Sequence, residues 1–151
     1  MNDLLSDQSI TKTKALIDLI PLGRIDQLAV SIIAANLQAI LGLNSDISKP
    51  RPEPDYALLP QRRQFDALKI IKELYKETQG APFKIGVTAL DICTPILTFV
   101  YGESQLGGKI ALISMNRLQG GSPDLTYERV AKIGVHEVGH ILGLEHCWEV
   151  R

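Results

Sequence analysis

All three histidines of this 151-residue chain fall within one eleven-residue stretch, His136-Glu137-Val138-Gly139-His140-Ile141-Leu142-Gly143-Leu144-Glu145-His146. On a helix, residues four apart stand one above the other on the same face. His136 and His140 can therefore point two imidazoles at one zinc ion, at zinc–nitrogen distances of about 2.0–2.1 Å. Glu137 is rotated about 100° from His136, which sets its carboxylate beside such an ion rather than on it. Gly143 can adopt the left-handed conformation that ends a helix and turns the chain, so His146 can return as a third ligand. Three neutral imidazoles leave a fourth position open, as in catalytic rather than structural zinc sites. A zinc so held acidifies water and polarises a peptide carbonyl. Glu137 would act as general base and pass the proton to the leaving amine.

A lone histidine on an apolar helix is ordinarily a satisfied core residue, but three at ligand spacing are not explained that way. The helix is apolar nearly all round, with Val130, Ile133, Val135, Val138, Ile141 and Leu142, and such a helix belongs in a core. Burying two imidazoles and a carboxylate there without a metal or other partners would cost on the order of several kcal/mol.

The elements that must position these residues follow from periodicity and punctuation. The helix is expected to start near Ser122, with serine at the N-cap and Pro123 at N1, and to run to Leu142. Upstream, Ala15 to Leu22 reads as a strand ending at Pro21-Leu22-Gly23. Arg24 to Leu41 reads as a helix on Ile25, Leu28, Ala29, Ile32, Ala35, Ala39 and Ile40, closed by Gly42. A short strand is expected near Leu43 to Ser48. Prolines 50, 52 and 54 then forbid a helix and suit an extended surface linker. A second helix is expected from Gln61 to Thr78, with Phe65, Leu68, Ile71, Leu74 and Tyr75 on one face. Strands follow at Phe83 to Leu90, Ile96 to Tyr101 and Lys109 to Met115, the last two as a hairpin around Gly107-Gly108. Helices between the early strands imply crossovers and parallel pairing, and the hairpin adds an antiparallel strand. The expected fold class is α/β, with a mixed, mainly parallel sheet and one antiparallel edge strand.

His-Glu-x-x-His-x-x-Gly-x-x-His is the metzincin signature, and Cys147 directly follows it. With Cys147 the motif resembles the archaemetzincin family. Arg62-Arg63-Gln64-Phe65-Asp66-Ala67, Gly86-Val87-Thr88-Ala89-Leu90-Asp91, Phe99-Val100-Tyr101-Gly102 and Glu128-Arg129-Val130 agree with it in character. The resemblance covers roughly Ala15 onward. It implies a metzincin-like α/β zinc peptidase subdomain with the active-site helix beneath a cleft. By that analogy, Ile96 to Tyr101 is the antiparallel edge strand above the cleft, where an extended peptide could add.

In that family Cys147 opens a second zinc site completed by three cysteines further on, and a methionine turn lies below the catalytic zinc. Neither is found before Arg151, and Met115 precedes the active-site helix. Cys93 lies far upstream and reads as a small buried hydrophobe. The expectation is a single metallopeptidase domain over residues 1–151 that lacks the family's C-terminal segment, with one catalytic zinc and no second one. Two functions fit: a zinc metallopeptidase, of endo- or aminopeptidase type, and a truncated, non-catalytic zinc-binding remnant of an archaemetzincin.

Composition narrows the rest. At 45% hydrophobic and 22% charged residues with net charge -1, the chain fits one globular domain. It carries no basic stripe for nucleic acid or an anionic membrane. The N-terminus lacks the basic and apolar regions of a signal peptide, and no run approaches the ~18 apolar residues of a bilayer span. Two cysteines make no disulfide framework, so a cytoplasmic location is expected. A peptide is the expected substrate; its sequence is not legible.

Overall fold

The computed structural model describes residues 14–105 and 108–143. β1 (Ile17–Leu22) is buried along almost its whole length, as a parallel strand covered on both faces must be. α1 (Gln27–Leu41) follows. It begins at Gln27 rather than Arg24 because Asp26 is the cap, its carboxylate accepting from the Leu28 N–H at 3.0 Å. Gly42 closes it at φ 69°. Its buried face is Ala29, Val30, Ile33 and Leu37. The expected stripe is wrong in part, since Leu28 and Ile40 are exposed.

β2 (Ser45–Ile47) pairs in parallel with β1. The proline-rich segment runs extended beside the sheet, where Arg51 N–H donates to the Pro21 carbonyl at 2.9 Å. The helix expected over Gln61 to Thr78 is shorter. Residues 61–63 form a turn with Arg63 at φ 52°. β4 (Gln64–Asp66) comes next, and α2 (Ala67–Tyr75) begins where the Asp66 carboxylate accepts from Leu68 N–H at 2.9 Å. β4 lies between β3 (Leu58–Leu59) and β6 (Ile92–Cys93) in a small second sheet. Strands of two and three residues are too short to show alternation in a sequence, and none of the three was expected.

β5 (Phe83–Thr88), β7 (Gly102–Ser104) and β8 (Ile110–Ser114) complete the main sheet, in the order β2-β1-β5-β8-β7. All pairs are parallel except β7 with β8. This is the mainly parallel sheet with one antiparallel edge strand that the sequence implied. The edge strand, however, is Gly102–Ser104 rather than Ile96 to Tyr101. Residues 95–99 carry no strand, and Val100 makes one isolated bridge to Ile92. The cause is competition for backbone groups. Arg62 donates to the carbonyls of Leu97 and Thr98, and Gln64 donates to that of Thr98 at 2.6 Å.

α3 (Pro123–Ile141) is capped by Ser122, whose hydroxyl accepts from Leu125 N–H at 3.3 Å. Together α1 and α3 cover one face of the sheet, enclosing Ile33, Leu37, Ile85, Val87, Ile113 and Val138. α2 and the small sheet cover the other, enclosing Ile20, Leu22, Ile70, Leu74, Ile92 and Leu112. Gly134 lets α1 and α3 approach, since a Cβ there would stand 3.1 Å from Ile33 Cγ2. Among the described residues no helix is long and apolar enough to cross a membrane.

Candidate metal centre

The last turns of α3 carry His136, Glu137 and His140. The buried side of those turns is Val135, Val138, Gly139 and Ile141, so core packing fixes the helix about its axis. The two imidazoles are thereby turned, half-buried, to the opposite side. His136 Nε2 and His140 Nε2 lie 2.9 Å apart, with the ring planes at 82°. Two nitrogens sharing a tetrahedral zinc would stand about 3.3 Å apart. The rings therefore converge on one point within a few tenths of an ångström, and imidazole is a donor that suits zinc. This pair fits the metal the motif implies.

The helix stops directly after this pair. Leu142 N–H donates to Val138 O at 3.1 Å, and Gly143 N–H to His140 O at 2.9 Å, with Gly143 at φ 78°. A left-handed glycine is the conformation in which helices commonly end. His146 and Cys147 lie outside the described residues. Among the described residues, accordingly, no group of three His, Cys, Asp or Glu side chains could hold a metal.

Glu137 is only 7% exposed. It lies against the edge strand: a Cβ on Gly102 would stand 2.8 Å from both Cγ and Oε2 of Glu137. Sequence reasoning missed this contact. Gly102 falls just after the strand expected to end at Tyr101, so nothing local marked it as a place of close approach.

The edge strand presents backbone groups on its outer side. Ser114 N–H donates to Tyr101 O at 2.8 Å, Gln105 N–H donates to Ile110 O at 3.5 Å, and Glu103 stands opposite Leu112. Bonded and non-bonded positions alternate in an antiparallel ladder, so the backbone groups of Gly102 and Ser104 point away from β8. Burial raises the Glu103 carboxyl above its ordinary range.

A polar hub, also missed, braces the segment leading into this strand. The Asp91 carboxylate accepts from Gln64 Nε2 at 3.0 Å and from Arg117 Nε and Nη2 at 2.8 and 2.9 Å. The Arg117 guanidinium lies 4.2 Å over the Phe99 ring, which meets Tyr101 edge-on at 5.4 Å. The Arg117 hydrogen bonds hold the Asp91 carboxyl below its usual range against the opposing effect of burial. Cys93 is fully buried in β6, as a small hydrophobe would be.

Comparison with known proteins bears on the family of the chain and on its fold. The family model Peptidase family M54 matches residues 61–150. An archaemetzincin of Archaeoglobus fulgidus is 43% identical over 57% of this chain and 51% of its own length, so that match spans about half of the relative. An archaemetzincin of Natronomonas pharaonis is 32% identical over 87% of this chain and 80% of its own. The crystal structure of archaemetzincin from Methanopyrus kandleri superposes with a TM-score of 0.78 at 29% identity, covering 91% of this chain and 79% of that one. In sequence and in fold, then, the chain belongs to peptidase family M54, the archaemetzincins.

Proposed function

We propose that this chain hydrolyses peptide bonds with a zinc ion held by His136, His140 and His146 and with Glu137 as general base. The observation that carries the reading is the convergence of His136 and His140 Nε2, 2.9 Å apart, beside a buried carboxylate that touches the sheet edge. When bound, the ion supplies Lewis acidity, acidifying water and polarising a carbonyl. The protein's own groups do the rest. An extended peptide adds antiparallel to β7, exchanging hydrogen bonds with the outward backbone groups of Gly102 and Ser104. That docking lays a peptide carbonyl alongside Glu137. A Glu137 carboxylate oxygen accepts the proton of the attacking water and returns it to the departing amine nitrogen. The neutral amine then leaves without the penalty of expelling an anion.

The test is Glu137→Gln, which preserves shape and burial and removes the base. Peptide-library hydrolysis that is abolished by chelator and restored by zinc should fall about 10²–10⁴-fold, with zinc content unchanged. Full activity in the glutamine variant would refute the role of Glu137. Zinc retention without hydrolysis in the parent chain would leave only a metal-binding function.

A further inference from the structure

We propose that Gly102 is a positioning residue: its missing side chain lets the peptide-receiving edge strand lie in contact with Glu137, and so sets where the base carboxylate stands. The inference rests on the reading of Glu137 as the base.

Gly102 has no left-handed backbone angle, and a strand position ordinarily favours β-branched and aromatic residues over glycine. Conformation therefore gives no reason for glycine here, and space does. A Cβ would meet Glu137 Cγ at 2.8 Å, Oε2 at 2.8 Å and Cδ at 3.0 Å. Because Cγ is struck as well as the terminal oxygen, turning the carboxylate about its last bond does not relieve the overlap. The whole side chain must swing, or one of the two elements must retreat.

The helix is poorly placed to retreat. Val138 and Ile141 are in the core, and Gly134 already brings α3 close to Ile33. Strain from a larger residue therefore falls on Glu137 or on the edge strand. A displaced Glu137 takes the proton acceptor away from the attacking water, which lowers kcat. A displaced strand moves the outward groups of Gly102 and Ser104, which raises KM. Glycine at this one position keeps both the docking backbone and the base in place.

The test is a double-mutant cycle of Gly102→Ala and Glu137→Ala, read first as Tm of the metal-free protein in chelator. Gly102→Ala should lower Tm by about 2–10 °C when Glu137 is present. It should have no such effect when residue 137 is alanine, since the three struck atoms are then gone. In the zinc-loaded enzyme, Gly102→Ala should lower kcat about 10- to 100-fold, as small misplacements of reacting groups do, with zinc affinity unchanged. Additive Tm changes, or a Gly102→Ala enzyme with both kcat and KM unaltered, would overturn the inference. So would a double variant that fails to fold, because relieving the overlap must restore folding. Full activity in Glu137→Gln would instead strike the base assignment, while the Tm coupling could still stand.

Discussion

Val138 sits between the two imidazole-bearing positions of α3 and faces the opposite way, fully buried in the core that α1, α3 and the sheet enclose. Val138→Ala removes two methyl groups from that site. Losing their transfer from water costs about 1.6 kcal/mol, at ~0.8 kcal/mol per buried carbon. The space left behind, on the order of 50 Å³, adds about 1 kcal/mol at ~24 cal/mol per Å³. The sum is about 2–3 kcal/mol, or a Tm lower by about 4–12 °C for a chain of this length. Thermal unfolding of metal-free and zinc-saturated protein should show the loss in both forms, because zinc adds the same increment to each folded state. Leu125→Ala is the control. Leu125 lies on the same helix but is 37% exposed, so its loss should be about 1–1.5 kcal/mol, with no enclosed cavity to add to it. If the two substitutions cost the same, the helix is not oriented by its buried face, and the account of how the imidazoles are aimed fails.

Ser122→Ala removes the hydroxyl that accepts from Leu125 N–H at the far end of the same helix. It should lower stability by about 1 kcal/mol and leave kcat unchanged, measured by denaturant midpoint and hydrolysis rate; a catalytic loss without a stability loss would contradict it. Acid should weaken the hub beside the edge strand. The Asp91 carboxyl is held below its usual range by Arg117, so its contribution is present above about pH 4, the ordinary aspartate value. That contribution is lost as pH falls through the lower folded-state value. Tm against pH should therefore fall less steeply below pH 4 in Asp91→Asn than in the parent, and equal slopes would refute the assignment.

The juxtaposition of His136 and His140 was legible in this sequence because it is local. His136 and His140 need only helical periodicity to meet, and Ser122-Pro123 and Gly143 mark the ends of that helix in residue types with one dominant use. β1, β5 and β8 are long enough to announce themselves as buried runs. What failed depends on partners distant in sequence. Leu28 and Ile40 are apolar yet exposed, while Ala29 of the same expected stripe is buried, so hydrophobicity alone only partly located the buried face of α1. Asp66 caps α2, but Phe65 just before it reads as easily as a helical core residue. The hairpin was placed correctly and its first strand was not, because Arg62 and Gln64 capture the carbonyls of the preceding segment. The contact between Gly102 and Glu137 joins two elements that share no local pattern.

The proposed chemistry depends on three imidazoles meeting at one zinc. The direct measurement is a crystal structure of the zinc-loaded protein with anomalous scattering collected at the zinc edge. A single catalytic ion is expected about 2.0–2.1 Å from ring nitrogens of His136, His140 and His146, with the Glu137 carboxylate alongside and not bound. Protein that stays metal-free in excess zinc, or an ion held away from His136 and His140, would contradict it.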